Sequence, residues 1–151
     1  MPIFLAQHGL CLPKQKDPEK GLSESGRENT RRIARVAADY KIKVMGIRHS
    51  GKTRAAQTAG IFGKYLGPAQ GPMPVEGMNP LDDVKAFAHD MSLESNYLYV
   101  GHLPFMERLV SFLTAGCEEP RVLRFQNSGI VCMDKDDAGW FIRWTLNPDI
   151  S

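Results

Sequence analysis

The sequence predicts an α/β fold, a three-layer α/β/α sandwich whose central sheet is mostly parallel. Short apolar runs typical of buried parallel strands alternate with segments of helical periodicity, the pattern that places helices on both faces of such a sheet. Two further apolar runs flank a turn sequence at 136–139, which predicts an antiparallel C-terminal hairpin. The chain of 151 residues has a length typical of one domain, so we expect a single domain at 1–151.

The first half of the chain contains two predicted strand–helix pairs. Residues 3–5 are continuously apolar and form the first expected strand. A helix should follow at about 24–40, because Ser23 is a suitable N-cap and apolar residues recur at helical spacing. The second pair is a strand at 43–48 and a helix at about 52–66.

The second half of the chain begins with a strand of weak sequence pattern and continues with elements of clearer pattern. Its expected elements are a loop at 69–74, a short strand at 75–78, a helix at about 82–91, a strand at 96–100, a helix from 104 to 116, and hairpin strands at 130–133 and 140–144. On the last strand, Trp140, Ile142 and Trp144 alternate, so we expect them on one face, packed in the core.

Composition excludes several classes of protein. A hydrophobic content of 42% is ordinary for a globular domain, and a net charge of +2 is too small to indicate a nucleic-acid or membrane partner. Apolar runs stay far below the roughly 20 residues of a membrane helix, and no secretory signal is visible. The three cysteines are widely spaced, without metal-type spacing, so a reducing cytoplasm is the expected location.

Polar side chains follow three of the predicted strands. They are His8 and Gly9 after the first strand, Arg48, His49 and Ser50 with Arg54 shortly after the second, and His102 after the third. In a parallel sheet the carboxyl ends of the strands lie at one edge, where ligands bind. We therefore expect these residues to meet, with Gly9 leaving the backbone free to turn and to approach a ligand closely.

Two histidines with an arginine suit an anionic ligand, phosphate above all. Arginine donates two parallel hydrogen bonds to phosphate oxygens, and Arg54 lies near a predicted helix N-terminus, which also favours an anion. A neutral imidazole can attack phosphorus, and a second, protonated imidazole can stabilise the charge on the phosphoryl oxygens. The pattern therefore indicates phosphoryl-transfer chemistry, with His8 as the candidate nucleophile.

Four segments in order carry a family resemblance. They are Phe-Leu-Ala-Gln-His-Gly at 4–9, Leu-Ser-Glu-Ser-Gly at 22–26, Ser-Gly-Lys-Thr-Arg-Ala-Ala-Gln-Thr-Ala at 50–59, and Val-Gly-His-Leu-Pro at 100–104. With them the sequence resembles the histidine phosphatase superfamily, the phosphoglycerate-mutase-like enzymes, and within it the short SixA-type phosphohistidine phosphatase branch. The resemblance covers nearly the whole chain.

The resemblance implies roles for individual residues. His8 becomes the nucleophile that takes the phosphoryl group, His102 the second pocket histidine and Arg54 a phosphate-binding arginine, while Ser50 matches a further motif position. The resemblance also implies that neither a metal nor an organic cofactor is needed.

Position 7 departs from the family pattern. The family has an arginine immediately before the nucleophile that helps bind the phosphoryl oxygens, whereas Gln7 supplies a neutral amide. Losing one charge-assisted hydrogen bond costs on the order of 1.5–3 kcal/mol, roughly one to two decades in rate. Candidates for a substitute charge are Arg48, Lys52 and Arg124, and we expect Gln7, Gly9, Ser50 and Arg48 on the substrate-binding side of the site.

The general acid and the substrate are left with alternatives. Larger relatives use a carboxylate from a segment after the middle strand, for which Glu76, Asp82 and Asp83 are the nearest candidates. The leading hypothesis is a phosphatase acting on phosphohistidine in a protein partner. The alternatives are a phosphatase of small phosphoesters or sugar phosphates and, because of Gln7, a phosphate- or phosphoprotein-binding module without turnover. The oligomeric state is left open.

Overall fold

A computed structural model describes residues 2–90 and 95–150 of the chain. Within these residues the elements in chain order are β1 (Ile3–Gln7), α1 (Glu24–Asp39), β2 (Gly46–His49), α2 (Thr53–Leu66), β3 (Gln70–Pro74), α3 (Val84–Asp90), β4 (Tyr97–Gly101), α4 (Phe105–Ala115), β5 (Ile130–Asp136) and β6 (Gly139–Leu146). None of the helices in this described part combines the length and the apolar character needed to cross a membrane.

The strands form one mixed sheet in the order β3-β2-β4-β1-β5-β6. The first four in that order pair in parallel, and β5 and β6 add an antiparallel hairpin at one edge. This arrangement confirms the predicted α/β class and the predicted C-terminal hairpin.

Strand β1 is buried on both faces and separates two apolar cores. Phe4 and Ala6 pack into a core that contains buried residues of α1 and α2, whereas Ile3 and Leu5 pack into a core with residues of α3 and α4. Successive side chains of a strand point to opposite faces, so a strand covered on both sides must be apolar throughout. The sheet therefore forms the middle layer, with α1 and α2 packed on one face and α3 and α4 on the other.

The helix ends follow the predicted caps. The Ser23 hydroxyl accepts a hydrogen bond from the Gly26 N–H at 3.0 Å, which satisfies one of the free donors at the start of α1. Gly67, with φ of 53°, ends α2, and Gly116, with φ of 78°, ends α4, both in the left-handed region that glycine adopts without strain. The end of α3 predicted at residue 91 lies outside the described residues.

The predicted position of the third strand was wrong. The strand is β3, Gln70–Pro74, and no strand forms at 75–78. Residues 69–74 were predicted as a loop. Strand β3 instead lies at the edge of the sheet beside β2, where the missing N–H groups of its two prolines are tolerated. Met78 is instead a buried core residue beneath α3.

The expected common face of Trp140, Ile142 and Trp144 was also wrong. Trp140 and Ile142 pack against the core of α3 and α4, whereas Trp144 packs against the core of α1 and α2. The pairing of β5 with β6 shifts register between Cys132 and Met133. An irregularity of one residue moves the following side chains to the other face of a strand.

Candidate active site

The segment that carries His8 is fixed from both sides where β1 ends. The His8 N–H donates to the Gly101 carbonyl at 3.0 Å, which continues the parallel pairing with β4. From the other side, the Asn127 side-chain amide donates to the His8 carbonyl at 3.0 Å, and the Ser128 N–H donates to the Gln7 carbonyl at 3.1 Å. His8 therefore projects from a rigid backbone.

The His8 ring has one nitrogen committed to the backbone. Nδ1 lies 2.7 Å from the Gly9 carbonyl oxygen, and since a carbonyl only accepts, Nδ1 carries the hydrogen and Nε2 keeps its lone pair. Burial lowers the pKa of His8 to about 4, and the positive charges of Arg54 and Lys20 act in the same direction. The ring is therefore neutral at pH 7, the state that a nucleophile requires.

Gly9 is held by α2 and packed against α1. Its N–H donates to the Thr58 hydroxyl at 2.8 Å, and that hydroxyl donates to the Arg54 carbonyl at 2.7 Å. A Cβ at Gly9 would lie 2.8 Å from Thr30 Oγ1 and 3.1 Å from Ser128 Oγ. Glycine is thus required here by close packing against protein, whereas the sequence had suggested close approach of a ligand.

His102 follows β4 and faces His8 with a ring-centroid separation of 5.0 Å. Its side chain is almost completely buried, with 1% exposed, and Nε2 lies 2.5 Å from the Ser50 hydroxyl. Within the described residues, Nδ1 has no hydrogen-bond partner. The pKa of His102 is lowered to about 3, mainly by burial and then by repulsion from His8 and from Arg54.

The start of α2 brings positive charge to the two histidines. Arg54 lies in the first turn of this helix, and its charge lowers the pKa of both imidazoles. Lys52 precedes the helix and lowers the pKa of His102, while its N–H donates to the Ser50 hydroxyl at 3.3 Å. The structure thus brings His8, His102, Arg54 and Ser50 together at the carboxyl edge of the sheet.

Arg48 is directed away from this edge. Its guanidinium donates to Gln70 Oε1 at 2.9 Å and lies 4.6 Å from the centre of the Tyr97 ring. A Cβ at Gly46 would lie 3.2 Å from Arg48 Nη1, so the charged group is near the start of β2 and not at its carboxyl end. The structure does not bring Arg48 to the histidines.

Gln7 is buried, with 9% of its surface exposed, and its Oε1 has no hydrogen-bond partner within the described residues. Its side chain lines a cleft of about 730 Å³ whose other walls include Leu103, Arg124 and Asn127. Arg124 therefore lies on the cleft that Gln7 borders, at an exposed position.

Two of the three candidate acids have structural partners. Asp82 accepts the Asn79 N–H at 2.8 Å, and Asp83 accepts the Lys85 and Ala86 N–H groups at 2.9 and 3.3 Å at the start of α3. Glu76 is exposed and follows Val75, whose N–H donates to the His49 carbonyl at the end of β2.

Sequence reasoning assigned no role to several residues that shape this site. Thr58 and Asn127 fix the backbone around His8, and Lys20 brings charge to both rings. Thr58 lies inside the segment 50–59 that matched the family, so its place in the motif was the available indication. Lys20 and Asn127 lie in loops, where contacts depend on the fold and leave no periodic pattern.

The described part of the chain contains no cluster of side chains suited to bind a metal ion. Across residues 2–90 and 95–150, no group of three or more His, Cys, Asp or Glu side chains lies close enough together to hold a metal ion.

Comparison with known proteins defines the structural class. No known protein-family profile matches the sequence. No curated protein sequence matches it either. The sheet order and the helices nonetheless give the chain the phosphoglycerate-mutase-like fold of the histidine phosphatases, which confirms the predicted resemblance at the level of fold.

Two solved structures illustrate the match. The protein histidine phosphatase SixA complexed with tungstate superposes with a TM-score of 0.83 at 23% identity, over 99% of this chain and 98% of that one. Phosphoserine phosphatase from Entamoeba histolytica in complex with 3-phosphoglyceric acid superposes with a TM-score of 0.71 at 14% identity, over 95% of each chain.

Proposed function

We propose that this chain is a phosphatase that works through a phospho-His8 intermediate and acts on phosphohistidine in a protein. The observation that carries the proposal is the state of His8. Its Nδ1 is committed to the Gly9 carbonyl, its pKa is about 4, and its ring lies 5.0 Å from that of His102. A neutral imidazole with a free Nε2 lone pair beside cationic side chains is suited to take a phosphoryl group.

In the first step, the Nε2 lone pair of His8 attacks phosphorus as the bond between phosphorus and the leaving group breaks. Arg54 binds the phosphoryl oxygens through its guanidinium, and the positive end of α2 adds to the attraction. The unpartnered Nδ1 of the buried His102 is the further group available to a phosphoryl oxygen. The leaving imidazole takes up a proton from solvent as it departs.

In the second step, a water molecule attacks phosphorus and the bond to His8 Nε2 breaks. Inorganic phosphate and the neutral imidazole are the products, and the water protons pass to solvent and phosphate. Because the hydrogen bond from Nδ1 to Gly9 is compatible with both the free and the phosphorylated ring, the same geometry serves both steps.

Phosphohistidine is favoured as the substrate by the state of the three candidate acids. Asp82 and Asp83 are occupied with backbone N–H groups, and Glu76 is exposed. An imidazole leaving group needs less assistance from an acid than a sugar alkoxide does. The match to a protein histidine phosphatase is consistent with this choice.

Two alternatives rest on specific observations. The match to a phosphoserine phosphatase supports a small phosphoester as substrate. The buried neutral amide of Gln7, at the position where the family pattern has arginine, supports a module that binds phosphate without turnover.

Trapping of the phosphoenzyme tests the proposal. Incubation with a ³²P-labelled phosphohistidine protein and rapid acid-free quenching should label the wild-type chain, and His8→Ala should abolish both the label and the release of phosphate. His49→Ala is the matched control, because His49 is the last residue of β2 and its Nδ1 accepts the Gly51 N–H. Full turnover in His8→Ala contradicts the mechanism.

Activity measured on a panel of phosphorylated substrates distinguishes the proposed function from the two alternatives. Preference for a phosphohistidine protein over phosphoserine and sugar phosphates supports the proposal, and the reverse preference supports the small-ester alternative. Binding of phosphate with no label and no turnover on any substrate supports the silent module.

A further inference from the structure

We propose that Lys20 is a phosphate-binding residue, and that it supplies from a loop the positive charge that Gln7 does not supply from β1. The inference rests on the proposed phosphoryl site but concerns binding of the anion, which can be measured without turnover. It is supported by the construction of the loop, by its attachment to the site, and by the surroundings of the lysine.

The loop between β1 and α1 is folded around one carboxylate. Asp17 accepts the Glu19 N–H through Oδ1 at 3.1 Å and the Gly21 N–H through Oδ2 at 2.9 Å, and its carbonyl accepts the Lys20 N–H at 2.9 Å. The Leu12 N–H donates to the Gly21 carbonyl at 2.8 Å and closes the loop. Lys20 therefore sits at a position in the loop that these hydrogen bonds define, with φ of 53°.

The base of the loop is attached to the elements that carry the site. The Leu22 N–H donates to Gln57 Oε1 at 2.7 Å, and Gln57 lies one helical turn after Arg54 on α2. The Ser23 N–H donates to the Leu10 carbonyl at 2.9 Å, two residues beyond His8. The chain at Lys20 is thus tied both to the nucleophile segment and to the helix that carries the phosphate-binding arginine.

The side chain of Lys20 has the surroundings of an anion ligand. It is half-buried, whereas Lys14 and Lys16 in the same loop are exposed. Asp17 has both oxygens bonded to backbone N–H groups, and the adjacent Glu19 is exposed. No ion pair of Lys20 with either carboxylate or any other occurs across 2–90 and 95–150. An unpaired cation is costly to bury partially unless a ligand of opposite charge completes the site.

Lys20 also reaches both imidazoles electrostatically. Its charge lowers the pKa of His8 and of His102, an effect that it shares with Arg54, whereas Lys52 acts on His102. A phosphoryl group bound between the two rings therefore lies in the field of Arg54 on one element and Lys20 on another.

Isothermal titration calorimetry with inorganic phosphate tests the inference. Lys20→Met keeps the aliphatic stem and should weaken phosphate binding about tenfold, the loss expected for one charge-assisted bond. Lys20→Arg should bind within about twofold of wild type. Lys14→Met is the matched control, from the same loop and with the same change of charge, and should leave the affinity unchanged.

A double-mutant cycle asks whether the lysine replaces the missing arginine. Gln7→Arg in the Lys20→Met background should restore the lost affinity, and NMR should show the pKa of both His8 and His102 raised in Lys20→Met, which a merely structural lysine would not cause. The inference is overturned by unchanged phosphate affinity in Lys20→Met, by an equal loss in Lys14→Met, or by a wild type that binds no phosphate.

Arg124→Met completes the set, because Arg124 lies on the cleft beside Gln7. A loss of affinity in Arg124→Met with none in Lys20→Met would assign the substitute charge to Arg124 and refute the inference. Lysine-dependent phosphate binding in a chain that forms no phosphoenzyme would instead leave this inference standing and refute the proposed phosphatase mechanism.

Discussion

The two histidines of the site occupy the same position on neighbouring parallel strands, yet their surroundings differ. His8 follows β1 and has its Nδ1 committed to a backbone carbonyl, which leaves Nε2 as the free nitrogen. His102 follows β4, and it is Nε2 that meets the Ser50 hydroxyl, while Nδ1 is unpartnered among the described residues. Hydrogen bonding therefore suits one ring to the proposed role of nucleophile and the other to the proposed role of ligand-binding group.

The largest expected effect comes from exchanging the two rings for amides one at a time. His8→Gln should reduce turnover by at least about 10³-fold, because the covalent intermediate no longer forms. His102→Gln should slow turnover by about 10²–10³-fold because the neutral ring no longer hydrogen-bonds to a phosphoryl oxygen, but the phosphoenzyme should still form. Single-turnover quench-flow with a labelled phosphoprotein measures both steps.

The comparison of the rings would fail if the label were retained in His8→Gln and lost in His102→Gln. That outcome would make His102 the nucleophile and His8 the supporting group.

The fold and the histidine pair were accessible from the sequence for a physical reason. Buried parallel strands are continuously apolar and helices repeat every 3.6 residues, so β1, β4 and the long helices left clear patterns. A parallel sheet then brings the residues that follow its strands to one edge, which is why His8, His102 and Arg54 were expected together and are found together.

The remaining features depend on tertiary contacts that no local pattern records. The position of β3 is decided by its place at the sheet edge, and the packing of Gly9 by its contact with Thr30. The direction of Arg48 is decided by Tyr97 and Gln70, which meet only after the strands have paired. The charge of Lys20 acts on the histidines from a loop that is tied to α2 through Gln57.

An intermediate effect is expected at Thr58, which acts on the first ring alone. Thr58→Val keeps the shape but leaves the buried Gly9 N–H without its acceptor, so the free energy of unfolding should fall by about 1–3 kcal/mol. Turnover should fall by about tenfold, because the Gly9 carbonyl that holds Nδ1 of His8 is less firmly placed.

Denaturant unfolding and steady-state kinetics measure the two losses at Thr58. Thr58→Ser keeps the hydroxyl and serves as the control, with most of the turnover retained. Unchanged stability and turnover in Thr58→Val would show that this hydrogen bond does not position His8.

A last effect concerns protonation, and it distinguishes the two rings by their pKa values. The pKa of His8 is about 4 and that of His102 about 3, both below the 6.5 of an unfolded chain because burial disfavours the charged ring. Between pH 6.5 and the pKa values of the folded state, the unfolded state binds more protons than the folded state. The free energy of unfolding is therefore highest above pH 6.5 and falls as the pH is lowered towards 4 and then 3. Chemical denaturation at several pH values should show this decline.

Burial is the main cause of the low pKa of His102 and repulsion from His8 is the next, and removal of the His8 ring tests this second cause. His8 is already protonated when His102 titrates, so His8→Gln removes a positive charge and should raise the pKa of His102 by up to about one unit. NMR titration of the His102 ring protons from pH 7 to pH 2.5 measures the change, and Lys14→Met again provides the control for an unrelated charge. A pKa of His102 that stays the same or falls in His8→Gln would mean that the rings are not coupled, and the distinction between a first and a second histidine would then rest on their hydrogen bonds alone.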